Sequence, residues 1–220
     1  MAQMPKAADI SKERVLIVDD QPVVRERLAD VLSREAGLIV CGDTDNPATA
    51  FEIAAKRKPH LIITGLCLKD SHGLEFIKDL HARSPAAKVL VFSMYDEQLY
   101  AERAIRAGAT GFVSKHEGMQ ELVRAIRRVL SGRIYLSERV SSCAMDRFFG
   151  RPLLASTDGL LQLSDGEIEV FELIGRGRTI REIAAALHCQ DKLTTSAHIG
   201  NDLPAPSVAE FCPYRGHYHS

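Results

Sequence analysis

Short apolar runs alternate with amphipathic stretches through residues 14 to 131. Arg14–Val18, Leu38–Cys41, Leu61–Thr64, Lys88–Phe92 and Thr110–Val113 read as five strands. Between them, apolar positions recur three or four apart, the spacing of one helix face. Val24, Leu28, Val31 and Leu32 mark the first such helix. Asn46-Pro47 opens the next, with asparagine as the cap and proline in the first turn. Leu74–Ala82 and Glu97–Ala107 follow. Gln120–Leu130 is the last, with Leu122, Val123, Ile126, Val129 and Leu130 inward. Strands alternating with helices predict an α/β fold, a doubly wound five-stranded parallel sheet with helices on both faces. The strands are apolar on both faces, as buried parallel strands are.

The pattern breaks at residues 132 to 160, which hold Gly132, Gly150, Pro152 and Gly159. We read a linker there, with one short helix near Glu138–Phe148. Helical spacing resumes with Ile168, Phe171 and Ile174, preceded by the capping box Ser164-Asp165-Gly166-Glu167. Gly175-Arg176-Gly177 stops that helix. A second capping box, Thr179-Ile180-Arg181-Glu182, starts another, with Ile180, Ile183, Ala184 and Leu187 on one face. Two short helices at such a turn predict a small all-α helix-turn-helix domain, to be completed by a third helix that enters the DNA major groove.

Composition narrows the partners. The chain of 220 residues has a formal net charge of -1, so attraction to nucleic acid or membrane has to be local. No apolar run approaches the roughly 18 residues of a membrane span. Residues 1 to 13 form an amino-terminal tail that lacks the apolar core of a signal peptide. Five scattered cysteines without a CxxC pair point to reduced thiols and a cytoplasmic location.

In open parallel sheets, ligands bind at the carboxyl ends of the strands. Asp19, Asp20, Gly65, Ser93 and Lys115 all fall there. A carboxylate pair, a hydroxyl and a lysine are the parts of a phosphoryl-transfer pocket. VLIVDD, LCLKDSHGLEFIKDL, FSMYDE and AGATGFVSK together resemble the flavodoxin-like receiver domain of bacterial two-component response regulators, over residues 14 to 131. The resemblance implies that Asp19 and Asp20 match the Mg²⁺-binding acidic pair, Ser93 the hydroxyl and Lys115 the lysine. The family's phosphoacceptor aspartate, at the end of the third strand, falls on Gly65. Glycine offers no nucleophile, so no catalytic residue remains and the usual acyl phosphate cannot form. Asp70, in the following loop, is a poor substitute. Mg²⁺ seeks about six oxygens, and two carboxylates alone imply weak binding. Lys115 is free to neutralise Asp19 or Asp20 directly. The plainer alternative is that Ser93 and Lys115 simply line the pocket.

Residues 161 to 188, with LSDGEIEVFELIGRGRTIREIAAALH, resemble the start of the LuxR-type helix-turn-helix of NarL/FixJ-class regulators. Beyond His188 the resemblance ends. Thr179, Lys192, Thr194, Thr195, Ser196 and His198 are the candidate DNA contacts. Gly200, Pro204 and Pro206 oppose a long third helix, since glycine costs about 1 and proline about 3 kcal/mol inside one. Five basic and eight acidic residues between 161 and 220 leave a net -3, opposite to a DNA-binding module. We read the helix-turn-helix as residues 161 to 200, with a degenerate third helix, and residues 201 to 220 as a disordered tail in which His217 and His219 are no metal site. A shift of the reading frame across Ala197–Leu203 permits alanine or threonine, then histidine, arginine, glutamine (or lysine or glutamate), arginine and leucine, a word that suits the family's recognition helix.

Two functions follow. One is a transcription regulator that binds DNA and needs no phosphorylation. The other is a pseudo-receiver that binds a kinase, an anti-regulator or a sister regulator and never touches DNA; a homodimer through the receiver is a further expected partner. An enzyme using Asp19, Asp20 and Lys115 has no nucleophile–base pair to support it.

Overall fold

The computed structural model describes residues 12–68, 71–148, 163–175 and 177–186. The chain divides into two compact units, Met1–Ala155 and Ser156–Ser220.

In the first unit, β1 (Glu13–Val18), α1 (Pro22–Ser33), β2 (Leu38–Thr44), α2 (Pro47–Arg57) and β3 (Leu61–Thr64) follow in order. A two-residue hairpin, β4 (Cys67–Leu68) with β5 (Ser71–His72), leads into α3 (Gly73–Arg83). Then come β6 (Lys88–Ser93), α4 (Glu97–Arg106), β7 (Gly111–Ser114), α5 (Met119–Leu130) and α6 (Glu138–Phe148). The main sheet has the order β2-β1-β3-β6-β7, every pair parallel. Period two along the strands divides the core. Val15, Ile17, Leu61, Ile63, Leu90, Phe92 and Val113 join Leu28 and Leu32 of α1 and Leu122, Ile126 and Val129 of α5 in one buried cluster. Leu16, Ile62, Val89, Val91 and Phe112 point to the opposite face and are equally buried. The doubly wound α/β class holds.

Local chemistry sets the helix starts. Asn46 Oδ1 accepts from the N–H groups of Ala48 and Thr49 at 2.8 and 3.2 Å, and Pro47 begins α2. Asp96 caps α4 by accepting from Gln98 N–H at 2.7 Å. On α5, Val123 and Leu130 are only partly buried, whereas Ala125 is fully buried. Its inward face is thus turned slightly from the one the large residues suggest. The β4–β5 hairpin has no apolar pattern and is not foreseen from the sequence. Among the described residues no helix is long and apolar enough to cross a membrane.

The second unit holds α7 (Asp165–Gly175) and α8 (Ile180–Ala186). Both capping boxes form. Glu167 Oε2 accepts from Ser164 N–H at 2.7 Å, and Glu182 Oε2 accepts from Thr179 N–H at 2.8 Å. Gly177, at φ 72°, supplies the left-handed turn between the helices. Ile168 and Ile183 are buried, but Ile174 and Ile180 are 54% and 79% exposed. Helical spacing placed these two inward. They stand at the last turn of α7 and the first residue of α8.

Candidate functional site

Four strand ends build the pocket. Val18 is level with Thr64, Thr64 with Val91, and Ser93 with Ser114. The residues that follow or end these strands, Asp19, Gly65, Ser93 and Lys115, therefore meet at one edge of the sheet.

Asp19 is almost wholly buried and Asp20 half-buried. Lys115 Nζ lies 2.7 Å from Asp19 Oδ2, with both side chains out of solvent. Of the two carboxylates, Asp19 therefore takes the lysine. Asp19 Oδ1 accepts from Gln21 N–H at 3.0 Å. Burial pushes the Asp19 carboxyl above the ordinary aspartate range, against the pull of the Lys115 ammonium and the Gln21 N–H, while Asp20 adds to the rise. Two further residues, which periodicity does not mark, hold the acidic turn. Arg25 donates to the Asp19 carbonyl at 2.7 Å and pairs with Asp43 at 3.2 Å. The Gln21-Pro22 step, directly after the acidic pair, is the only sequence signal for that turn.

Gly65 is buried beside this pair. Its N–H donates to Val18 O at 2.9 Å, and its carbonyl accepts from the Thr64 hydroxyl at 2.9 Å. A Cβ built at Gly65 stands 3.1 Å from Asp19 Oδ2, so a side chain there faces directly onto the carboxylate. Ser93 is buried, and its hydroxyl accepts from Tyr95 N–H at 3.2 Å. Its carbonyl accepts from Lys115 N–H at 2.7 Å, which ties the two loops together.

The residues present do not fit a hard divalent cation. Lys115 already occupies Asp19, position 65 contributes no side-chain oxygen, and no group of three metal-binding side chains is placed to hold an ion among the described residues. Asp70 lies outside the described residues. So do Lys192, Thr194, Thr195, Ser196 and His198. Thr179 is described, exposed, and engaged in capping, its hydroxyl donating to Glu182 Oε2 at 2.9 Å.

The family model for the response regulator receiver domain matches residues 15–127. The virulence-factor transcription regulator BvgA of Bordetella pertussis is 30% identical over 199 residues, covering 90% of this chain and 93% of BvgA. The chain belongs to the NarL/LuxR-type response regulators. The DNA-binding transcriptional activator DevR/DosR of Mycobacterium tuberculosis is 31% identical over 81% of this chain and 82% of its own. Among solved structures, a LuxR-family two-component response regulator from Aurantimonas sp. SI85-9A1 superposes with a TM-score of 0.59 at 30% identity, covering 63% of this chain and 99% of that one. In this response regulator, the strand-end geometry thus belongs to a receiver.

Proposed function

We propose that this response regulator controls transcription through its carboxyl-terminal helix-turn-helix unit and that its receiver signals without phosphorylation. The observation that carries the second half is the buried Lys115–Asp19 ion pair beside Gly65. The lysine that would meet a phosphoryl group is already neutralised inside the pocket. No carboxylate stands at the end of β3 to accept a phosphoryl group. DNA binding is supported by the two capped helices α7 and α8 in family order, and by relatives named as transcription regulators. On this reading residues 14 to 131 are the receiver, 132 to 160 the linker and 161 to 200 the helix-turn-helix, in a cytoplasmic protein that pairs with a sister regulator or a second copy through its receiver.

The test is a DNA titration across salt, with and without acetyl phosphate and Mg²⁺. Each neutralised phosphate contributes about -0.9 to the salt slope. Lys192 alone carries a fixed charge among the candidate contacts from Thr179 to His198, so a slope near that of one phosphate and little sequence preference are expected. The phosphodonor should leave the curve unchanged. Tightening on addition of acetyl phosphate would refute the receiver half of the proposal. A pseudo-receiver that never touches DNA is favoured by the net -3 of residues 161 to 220. It would appear as no DNA binding even at low salt.

A further inference from the structure

Beyond the sheet, the chain from Tyr135 to Phe148 returns to the receiver and is fastened there by backbone and side chains. Tyr135 pairs in parallel with Gly111 at the free edge of β7. Its N–H donates to Thr110 O at 3.1 Å, and its carbonyl accepts from Phe112 N–H at 3.0 Å. The approach requires glycine, because a Cβ at 111 would stand 2.9 Å from Tyr135 O. The Tyr135 hydroxyl donates to Glu121 Oε1 on α5. Glu97, at the start of α4 and 6% exposed, accepts at Oε1 from Ser137 Oγ at 2.9 Å and from Arg139 Nε at 3.1 Å. Val140 is buried on the same segment.

A third carboxylate stands near these groups. Glu117 Oε2 is shielded from solvent and has no hydrogen-bond partner among the described residues. Buried carboxylate oxygens are rarely left so. Glu97 and Glu121 face it with like charge, and Arg124 and Arg139 oppose them. The three carboxylates have two guanidinium groups, the Tyr135 phenol and the Ser137 hydroxyl about them.

Both arms of the cluster begin in the pocket. Glu97 follows Ser93 through the turn in which Tyr95 N–H donates to the serine hydroxyl. Glu117 follows Lys115 in a turn closed by its own N–H to Ser114 O at 3.0 Å. We propose that residues 135 to 148 are a latch on the receiver, held by Glu97 and Glu121, and that the Lys115–Asp19 ion pair sets its grip by fixing the loops that lead to these two carboxylates. The latch places control of the segment that leads towards the helix-turn-helix in the receiver's charge balance rather than in a phosphoryl group. It stands whether or not the chain binds DNA.

Hydrogen exchange of the full chain tests this, with amides 134 to 148 measured against those of β3 as the reference for global unfolding. Exchange across 134 to 148 is the readout, since Glu97 and the Tyr135–Glu121 contact hold that segment. Glu97→Gln should speed it. Asp19→Asn takes away the partner of Lys115 and should speed exchange at 134 to 148 as well as at 115 to 118. If Asp19→Asn also loosens β3, the double variant Asp19→Asn with Lys115→Gln, which removes both buried charges, carries the same comparison. Unchanged or slower exchange in Glu97→Gln would overturn the latch. A response confined to 115 to 118 in the pocket variants would overturn the coupling.

Discussion

Gly65→Asp restores the one carboxylate the pocket lacks, and its effect follows from the geometry. Gly65 does not have a positive φ, so the backbone accepts an aspartate. The Cβ arrives 3.1 Å from Asp19 Oδ2, and Asp19 has to yield by a few tenths of an ångström. Two full charges about 4 Å apart repel by about 4 kcal/mol at an effective dielectric constant of about 20. Lys115, 2.7 Å from Asp19, is positioned to offset part of this. A net destabilisation of about 2 kcal/mol remains, within the usual range for point substitutions. For a domain of this size that lowers Tm by about 8 °C. Mg²⁺ should reverse it in the variant alone, because three carboxylates form a site where two do not. At a hundredfold excess over Kd, binding to the folded state contributes about 2.7 kcal/mol. The assay is thermal unfolding of both proteins with and without Mg²⁺, at matched ionic strength. An equal Mg²⁺ response in both proteins would show that the missing carboxylate does not limit the site. A variant more stable than the parent without Mg²⁺ would refute the charge argument.

Lys115→Met should lower stability by about 3–5 kcal/mol in urea unfolding, since it leaves the Asp19 carboxylate buried without its partner; a loss below about 1 kcal/mol would mean the pair is solvated. The Glu117 carboxyl is raised, first by burial and then by Glu97 and Glu121, with Arg124 and Arg139 pulling the other way. Its protonation therefore stabilises the fold below the ordinary glutamate range, and that contribution is lost as pH rises through its raised value. Comparing the parent with Glu117→Gln across this window isolates the effect, and parallel pH profiles for the two proteins would refute it.

The receiver was legible because β1, β3, β6 and β7 are largely buried apolar runs and each intervening helix carries a one-sided face, whereas the edge strand β2 is partly exposed. Asn46-Pro47 and the two capping boxes gave helix starts that the hydrogen bonds reproduce. Asp19, Gly65, Ser93 and Lys115 could be placed together because they end strands whose order follows from the fold. The Tyr135 edge pairing and the β4–β5 hairpin were not legible, because each rests on backbone hydrogen bonds that leave no periodic trace. Arg25 was missed for a similar reason, since its guanidinium serves the Asp19 carbonyl and Asp43 rather than the apolar face. Ile174 and Ile180 show the limit of spacing alone, which fixes a helix face but not what covers its ends. Whether the frame shifts across Ala197–Leu203 is a matter for the coding DNA. A stop codon, or the absence of arginine codons, in the displaced frame would dismiss the frameshift reading.

The central claim is that the pocket holds an ion pair where other receivers form an acyl phosphate, and intact-mass spectrometry tests it most directly. After incubation with acetyl phosphate and Mg²⁺, the mass of the full chain should be unchanged, because position 65 has no oxygen to attack phosphorus. A gain equal to one phosphoryl group, mapping to Asp19, Asp20 or Asp70, would contradict the account.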